Sequence, residues 1–365
     1  MNSGNSSDKT LRVLMMPDYR IINPYQTLLS QALENQGVEV LFPCGYRRVF
    51  PIYREIKAST NKIDILHLHW TTPYTKGKNL VIRLVYTIKL LVDIVLTKLA
   101  GVKVVWTNHD HIAHDSQFPF LEHWLKQNLL KLADKIIVHH ASSVQDIGQT
   151  YKVESDKFEV IPHGHYREVY SRAISQVQAR KVLEIPLSGR VYLNLGMLRP
   201  YKGIEGLLKV FEGNQEFLKE SILLIAGKAL DQAYGQKLKE QAAKIQGVFL
   251  HDQFVEDSKI HLFFSAADVV VLPFKSILTS GSLILAMSYN KPIIAPRSKS
   301  IMETLDRADW LLYDPEDEQG LLQALKVSTQ LDLHKLGYLV EESCDRLSWE
   351  YIGIQTQKLY QNLIN

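Results

Sequence analysis

The amino-acid sequence predicts an α/β protein in which two doubly wound domains follow each other along the chain. Short apolar runs alternate with helical patterns in the first half, the alternation restarts at Arg190, and polar motifs with glycines follow several runs. Strands that alternate with helices form parallel βαβ units, as in Rossmann-like folds. Such sheets bind ligands beyond the carboxyl ends of their strands, so we expect the two domains to face a cleft that holds the site.

In the first half, apolar runs predict strands and helical spacing predicts helices. The strands are Leu11–Met16, Val38–Phe42, Ile63–His69, Val102–Trp106, Lys135–His139 and Phe158–Ile161. The helices are Tyr25–Gln36, which ends at Gly37, Leu80–Leu99, Phe120–Ala133, and one through Tyr151 that Ser142 and Ser143 could cap.

The second half repeats the pattern and adds a final helix. The strands are Arg190–Leu195, Ser221–Ala226, Gly247–His251, Asp268–Pro273 and Pro292–Ala295. The helices begin at Gly203, near Gln232, near Ser258 and at about Ser282, and the last is Trp349–Leu363. We therefore expect one domain over 10–168, a second over 169–345, and a C-terminal helix within 346–365.

Composition indicates a globular protein rather than a nucleic-acid-binding one. The 365 residues suffice for two domains with separate cores, and a net charge of +3 alone indicates no nucleic-acid partner. Cys44 and Cys344 form no metal or redox spacing, which fits a reducing compartment. The polar start, Met1–Lys9, has no apolar signal region, so we expect a cytosolic protein.

The segment Leu80–Leu99 is strongly apolar but carries charges that would be costly inside a bilayer, namely Arg83, Lys89, Asp93 and Lys98. An apolar stripe recurs at helical spacing through Val81, Leu84, Val85, Ile88, Leu91, Val92, Val95 and Leu99. Two interpretations remain open. The stripe packs on the sheet, or the helix also contacts a membrane surface, aided by Lys76, Lys78 and Arg83.

A first motif, Leu195–Gly203, lies between a predicted strand and a helix and suits a phosphate. Gly196 allows a tight turn, Arg199 offers forked donors, and Lys202 adds a point charge. The alternative is a solvated basic turn without a ligand.

A second motif follows Pro273 and begins another helix. The free N–H groups of a helix start suit a diphosphate, and hydroxyl groups add donors. The residues concerned are Thr279, Ser280, Gly281 and Ser282. A plain helix cap is the alternative.

Other polar residues also follow predicted strands. A cluster of titratable side chains indicates acid–base chemistry or orientation of hydroxyl groups, unless it is only a surface loop. It comprises His109, Asp110, His111, His114 and Asp115. His163 and Gly164 end the last strand of the first half, where Gly164 fits a hinge, and Asp252 and Phe254 are expected beside a nucleotide base.

Three His-x-His pairs have a spacing that could suit a zinc ion: His67/His69, His109/His111 and His163/His165. No cysteine joins them, and no Asp-x-Asp motif is present to hold a magnesium–diphosphate. We therefore expect no metal and no other cofactor, with cationic side chains and a helix start acting in a metal's place.

At these residues the chain resembles GT-B-fold glycosyltransferases of family 4, over nearly its whole length. Gly196–Gly203 resembles the donor-diphosphate motif, and His109 matches an active-site histidine near the donor sugar. Asp64–Trp70 resembles the N-domain strand and loop near the cleft, and Leu347–Glu350 the segment that crosses back to that domain.

The resemblance implies an acceptor-binding N-domain, a nucleotide-sugar-binding C-domain, and a C-terminal helix that packs on the N-domain. The implied site residues fall into three groups. Catalytic candidates are His109, Asp110, His114 and Asp115; donor-binding candidates are Gly196, Arg199, Lys202, His163, Gly164, Asp252, Phe254, Pro273, Thr279, Ser280, Gly281 and Ser282; acceptor-binding candidates are Asn23, Tyr25, His69 and Trp70.

One departure from the family bears on stereochemistry. Many members carry two glutamates at positions that correspond here to Ile277 and Leu285, neither of which can accept a hydrogen bond. The segment Thr279–Ser282 with Ala286 and Met287 instead resembles bacterial exopolysaccharide-type members, which include mannosyltransferases. Retention and inversion both stay open; inversion would need a base from the His109 cluster.

The sequence thus predicts a metal-independent transfer from a UDP- or GDP-sugar to a saccharide or lipid-linked saccharide, with possible contact to the inner face of a membrane. Two alternatives stay open. The missing glutamates would fit a catalytically silent domain that binds a sugar or a partner protein, and a related epimerase or phosphorylase would use different chemistry.

Overall fold

A computed structural model of the chain describes residues 10–45, 49–109, 117–275 and 280–365. The chain forms two compact units. The first extends to Gly164 and also includes Trp349–Asn365, and the second is His165–Ser348. Each unit is built around its own parallel sheet.

Within the described ranges, the sheet of the first unit has six strands in the order β2-β1-β3-β4-β5-β6. The strands are β1 (Arg12–Met16), β2 (Glu39–Leu41), β3 (Ile65–Leu68), β4 (Lys103–Thr107), β5 (Lys135–Val138) and β6 (Phe158–Val160). The helices are α1 (Pro24–Glu34), α2 (Pro51–Ala58), α3 (Leu80–Leu99), α4 (Pro119–Leu132) and α5 (Ala141–Tyr151). Strand residues such as Leu66, Val104 and Ile136 form the core against these helices.

The described part of the second unit has a six-stranded sheet in the order β12-β11-β10-β7-β8-β9. Its strands are β7 (Arg190–Leu195), β8 (Ser221–Ala226), β9 (Val248–His251), β10 (Val269–Val271), β11 (Ile293–Pro296) and β12 (Leu312–Tyr313). Its helices are α6 (Gln176–Val182), α7 (Ile204–Gly213), α8 (Gln215–Leu218), α9 (Gln232–Ala242), α10 (Ile260–Ala266), α11 (Gly281–Ser288), α12 (Lys299–Leu305), α13 (Gly320–Gln330) and α14 (Leu333–Asp345). The predicted α/β class, with two doubly wound sheets, is confirmed.

The last helix, α15 (Trp349–Ile364), packs on α1 in the first unit. A Cβ atom at Gly353 would lie 2.7 Å from the backbone oxygen of Ala32, so the two helices approach each other closely at this point. The side-chain amide of Gln357 also donates a hydrogen bond to the backbone oxygen of Gln36, at 2.7 Å. The C-terminal segment therefore packs on the N-terminal unit, as predicted.

The prediction that the apolar stripe of α3 packs on the sheet is wrong. Val81, Val85 and Leu99 are 70%, 51% and 78% exposed. Most of the other residues of the stripe are also exposed, although less so. The buried face instead carries Thr87, Leu90, Asp93, Ile94 and Thr97.

Polar groups on the buried face of α3 form hydrogen bonds, which explains why the helix turns this face inward. The Asp93 carboxylate accepts hydrogen bonds from the backbone N–H groups of Ile52, at 3.0 Å, and Tyr53, at 2.8 Å, at the start of α2. Burial raises the pKa of Asp93 to about 6, while these two donors oppose the rise. The apolar stripe is left outside because Asp93 fixes α2 against the opposite face.

Several local details also differ from prediction. Helix α5 begins at Ala141 and its N-cap is His140, so Ser142 and Ser143 lie inside the first turn and do not cap it. Helices α2, α6, α8, α12, α13 and α14 and strand β12 were not predicted. Over the residues that the structure describes, no helix has both the length and the apolarity needed to cross a bilayer.

We predict that Gly353→Ala destabilises the protein by about 1–3 kcal/mol, because its methyl group would press against the Ala32 backbone. Gly206→Ala in α7 is the matched control, since a Cβ added there would meet nothing within 4 Å. The control should stabilise by about 0.5–1 kcal/mol through helix propensity. Urea unfolding followed by circular dichroism measures both, and equal effects would contradict the close packing of α15 on α1.

Candidate functional site

The turn between β7 and α7 brings the predicted phosphate-binding cations together with the start of α11. Gly196 has a φ of +134°, and a Cβ there would lie 2.5 Å from Lys202 Nζ and 3.1 Å from Ser282 Oγ. The buried Lys202 ammonium donates to Ser282 Oγ at 3.2 Å. Glycine is therefore needed at 196 both for its backbone conformation and to leave room for the lysine.

This turn carries two adjacent positive charges, those of Arg199 and Lys202. Burial, and then the neighbouring Arg199, lower the pKa of Lys202 to about 8. Among the residues that the structure describes, neither side chain makes an ion pair, and Arg199 Nε is buried without a hydrogen bond. Adjacent unpaired cations repel each other until an anion arrives, so this arrangement favours anion binding.

The start of α11 contributes backbone donors beside these cations. Ser280 Oγ accepts a hydrogen bond from the backbone N–H of Leu283 at 3.1 Å, which caps the helix and leaves Gly281 in its first turn. Pro273 packs on the same turn, because a Cβ at Gly203 would lie 1.9 Å from the Pro273 backbone oxygen. The structure thus brings together most of the predicted donor residues of this unit; Thr279 lies outside the described residues.

Asp252 and Phe254 have different surroundings. The Asp252 carboxylate accepts from the backbone N–H of Ala229 at 3.0 Å and pairs with Lys239 Nζ at 2.8 Å. Phe254 is 72% exposed. Both carboxylate oxygens of Asp252 are thus engaged within the unit, and contact of either residue with a nucleotide base stays a prediction.

A cluster of buried and partly buried histidines occupies the carboxyl edge of the first sheet. Four of them follow adjacent strands β3, β4, β5 and β6, and Tyr25 from α1 packs against all four rings, with centroid distances of 4.8–5.9 Å. The four histidines are His69, His109, His139 and His163. Parallel pairing of the strands brings these side chains together.

Hydrogen bonds join three of the four histidines. His69 Nδ1 lies 3.1 Å from His109 Nε2, and His109 Nδ1 lies 3.4 Å from His139 Nε2. His139 Nδ1 is 2.9 Å from the backbone oxygen of Ile161. Burial, reinforced by the neighbouring histidines, lowers the pKa of each ring well below 6.5, so all three are neutral at pH 7.

His67 forms a separate branch of this cluster. Tyr360 from α15 lies with its hydroxyl 2.6 Å from His67 Nδ1, and His67 Nε2 lies 2.7 Å from Thr107 Oγ1. Burial lowers the pKa of His67 to about 3. His67 and His69 point to one face of β3, with ring centroids 4.1 Å apart, as the His-x-His spacing suggested. No group of three or more His, Cys, Asp or Glu side chains in the described ranges is arranged to hold a metal ion.

Most of the predicted acceptor residues meet at this cluster. Trp70 stacks on His109, with ring centroids 4.5 Å apart, and on Tyr19, at 5.2 Å. Asn23 instead caps α1, because its side chain accepts from the backbone N–H of Tyr25 at 3.0 Å. The catalytic candidates Asp110, His114 and Asp115 lie outside the described residues, as does His111.

His163 and Gly164 belong to the first unit, whereas the cationic turn belongs to the second. A Cβ at Gly164 would lie 2.3 Å from the Trp349 ring, so glycine is required there by packing against α15. His163 Nδ1 donates to the backbone oxygen of Gly164 at 2.8 Å, and burial lowers the pKa of His163 to about 4. Donor binding by these two residues stays a prediction.

Sequence reasoning missed His139, Thr107, Trp349 and Tyr360 as members of this cluster. One signal was available for the first of them. A histidine stands just beyond the end of each of four successive strands of the sheet, at His69, His109, His139 and His163. Trp349 and Tyr360 come from the far end of the chain, and only the packing of α15 brings them here.

Two family models match adjoining parts of the chain. Residues 27–166 match the model described as Glycosyltransferase Family 4, and residues 175–328 match the model described as Glycosyl transferases group 1. A GDP-mannose:glycolipid 4-beta-D-mannosyltransferase from Xanthomonas campestris is 28% identical over 306 residues, which are 83% of this chain and 79% of the relative.

Solved structures share the architecture at low sequence identity. Anabaena Alr3699/HepE in complex with UDP superposes with a TM-score of 0.72 at 16% identity, covering 97% of this chain and all of the other. Sucrose-phosphate synthase from Thermosynechococcus elongatus gives a TM-score of 0.70 at 16% identity, covering 97% and 99%. These likenesses show the fold, which is GT-B, as the resemblance implied.

We predict that affinity for a nucleoside diphosphate such as UDP falls about tenfold between pH 7 and pH 9. The charged form of Lys202 binds the anion, and this lysine loses its proton as the pH rises through about 8. Lys202→Met should bind more weakly at pH 7 and lose most of this pH dependence. Calorimetric titration measures both proteins, and equal slopes with pH would refute the assignment to Lys202.

Proposed function

The chain belongs to the GT-B-fold glycosyltransferases, with a family 4 domain followed by a group 1 domain, and from this premise we propose that it transfers a sugar from a GDP- or UDP-linked donor to a lipid-linked saccharide without a metal ion. The products would be a new glycosidic bond and a free nucleoside diphosphate. Such a reaction would serve exopolysaccharide or glycoconjugate synthesis.

The observation that carries this proposal is a pair of adjacent cations beside a helix start. Arg199 and Lys202 lie next to each other without an ion pair among the described residues, and Ser282 links Lys202 to the first turn of α11. Two cations and a helix N-terminus can neutralise the charge that develops as a diphosphate leaves. They can perform the electrostatic role that a divalent cation performs elsewhere.

The relatives favour particular substrates for the first assays. The name of the Xanthomonas campestris relative gives GDP-mannose as donor and a glycolipid as acceptor, and this relative aligns with 83% of the chain. The HepE structure contains UDP instead. We therefore place GDP-mannose first and UDP-glucose second as donors, with a lipid-linked saccharide as acceptor.

We also propose an inverting reaction. Leu285, which stands at the position of one of the two family glutamates, is buried and apolar, so the carboxylate that many family members carry there is absent. The first unit, in contrast, offers neutral imidazoles that can accept a proton from the attacking hydroxyl. Direct displacement assisted by a base inverts the anomeric carbon.

Contact with the inner face of a membrane is part of the proposal, and the outer face of α3 supports it. This face carries exposed apolar residues, and two exposed basic residues, Lys76 and Lys78, shortly precede the helix in the chain. An apolar helix face bordered by positive charge suits a bilayer with anionic headgroups. The acceptor would then be taken directly from the lipid surface.

We predict that Arg199→Ala and Lys202→Ala each reduce kcat/KM with the preferred donor by about 30- to 1,000-fold, since each removes a cation from the leaving group. Arg297→Ala is the control, because that exposed arginine already pairs with Asp309. Release of nucleoside diphosphate and formation of the glycoside measure turnover. Near-normal activity of both variants would refute the proposed binding of the diphosphate by Arg199 and Lys202. Transfer by the wild-type protein would exclude a catalytically silent binding domain.

Removal of metal gives a separate result in the same assay. A chelator should leave transfer unchanged, because the cations of the protein act in place of a metal. Activity that disappears with chelator and returns with magnesium or manganese would contradict metal independence but not the transfer itself.

We predict that Val81→Asp weakens binding to vesicles containing anionic lipid by at least about tenfold, since it places a charge in the exposed apolar face. Val182→Asp in the second unit is the matched control, because the two valines are 70% and 61% exposed. Co-sedimentation with vesicles at low and high salt measures binding. Equal binding of both variants would contradict docking through α3.

A further inference from the structure

Three histidines form a connected row across the carboxyl edge of the first sheet, in the order of its strands. His69 follows β3, His109 follows β4 and His139 follows β5, and each ring is hydrogen-bonded to the next. The row ends at the backbone oxygen of Ile161, which follows β6. Trp70 and Tyr25 hold the middle ring by stacking and edge contact, respectively.

The position of every proton in this row follows from its last member. A backbone oxygen can only accept, so His139 Nδ1 must donate to Ile161 and its Nε2 must be an acceptor when the ring is neutral. His109 Nδ1 therefore donates to His139, and His69 Nδ1 donates to His109. One carbonyl group thus sets the same tautomer in three imidazoles.

The unprotonated nitrogen that remains is His69 Nε2. This atom is buried, and no residue that the structure describes hydrogen-bonds to it. His69 as a whole is only 2% exposed. Both nitrogens of His109 are engaged by neighbouring histidines, so His109 has no free lone pair with which to act as the base.

We propose that His69 Nε2 is the general base of the transfer, that it accepts the proton of the attacking sugar hydroxyl, and that His109 and His139 are positioning residues that fix its tautomer. This inference rests on the proposed function. It moves the base from the His109 cluster, where the sequence predicted it, to a residue expected only to bind the acceptor.

The step balances without a further reactant. The hydroxyl oxygen forms a bond to the anomeric carbon while its O–H bond breaks, and the proton moves to His69 Nε2. The bond from the anomeric carbon to the diphosphate breaks, and its electron pair leaves with the diphosphate. The imidazolium formed at His69 is stabilised because its Nδ1–H already donates to His109.

The surroundings keep the row neutral before the reaction. The titratable described groups that pack against it are Tyr25 from α1, His67 on β3, His163 beyond β6 and His140 beyond β5. Burial lowers the pKa of His67 and of His163 and raises that of Tyr25, so these three groups carry no charge at pH 7. A base that is already unprotonated is ready at neutral pH.

The first test needs no substrate. In ligand-free protein labelled with ¹⁵N-histidine, long-range ¹H–¹⁵N spectra at pH 7 report which ring nitrogen carries the proton, with His69→Asn, His109→Gln and His139→Gln used to assign the signals. The proposal expects a proton on Nδ1 and none on Nε2 in all three rings. A proton on His69 Nε2 would overturn it whatever the donor sugar is.

The second test separates the base from the row that supports it. His69→Asn keeps a donor toward His109 but has no basic nitrogen, so kcat should fall by about 100-fold or more while binding of GDP or UDP, measured by thermal shift, stays as in the wild type. Retention of more than about a third of kcat would refute the assignment. Loss of nucleotide binding together with kcat would overturn it as well, since the base should not hold the donor.

The positioning role has its own matched pair. Gln at position 139 can still accept from His109 Nδ1, whereas Leu cannot, so His139→Gln should retain at least about tenfold more kcat than His139→Leu. Equal losses in the two variants would refute positioning. If the Leu variant does not fold, His139→Gln decides alone, and a proton on His69 Nε2 in its spectrum would refute the proposed row of tautomers.

Lack of transfer by wild-type protein with every donor would contradict the proposed function and leave the tautomer result standing.

Discussion

Parallel pairing of β3, β4, β5 and β6 is the constraint on which the site in the first unit depends. Because all four strands run in one direction, their carboxyl ends lie side by side, and a single histidine after each becomes part of one cluster. A shift in the register of any pair would separate rings that now meet at hydrogen-bonding distance. Within this cluster, three of the imidazoles are linked to one another by hydrogen bonds, and the last of them is bonded to the backbone oxygen of Ile161.

The two units present contrasting electrostatic environments, a cationic turn in one and neutral histidines in the other. In the second unit, Lys202 and Arg199 retain positive charge without a counter-ion among the described residues, which prepares the turn for an anion. In the first unit, His69 and its neighbours are kept neutral by burial, which preserves lone pairs. In the proposed reaction, the cationic turn would bind the leaving diphosphate and the neutral histidines would receive the proton of the attacking hydroxyl.

The C-terminal helix ties the end of the chain to the first sheet. Trp349 packs on Tyr25 and fills the space beside Gly164, and Tyr360 reaches His67. Helix α3 shows the limit of periodicity as a guide. Its apolar stripe is plain in the sequence, but helical spacing does not tell which face meets the protein; that was decided by Asp93, whose carboxylate is fixed by the start of a helix that was not predicted.

The sequence by itself determined the two doubly wound sheets, most of their strands and the glycine-bearing turn with Arg199 and Lys202, because these depend on local periodicity and on residue types that follow strands. The return of the last helix to the first unit was predicted only through the family resemblance. Only the tertiary structure decided that His139 joins His69 and His109, that His109 has no free nitrogen, and that α3 turns its apolar face outward. Those outcomes depend on contacts between residues far apart in the chain, and the proton positions in particular follow from a single backbone oxygen, which no residue type reveals.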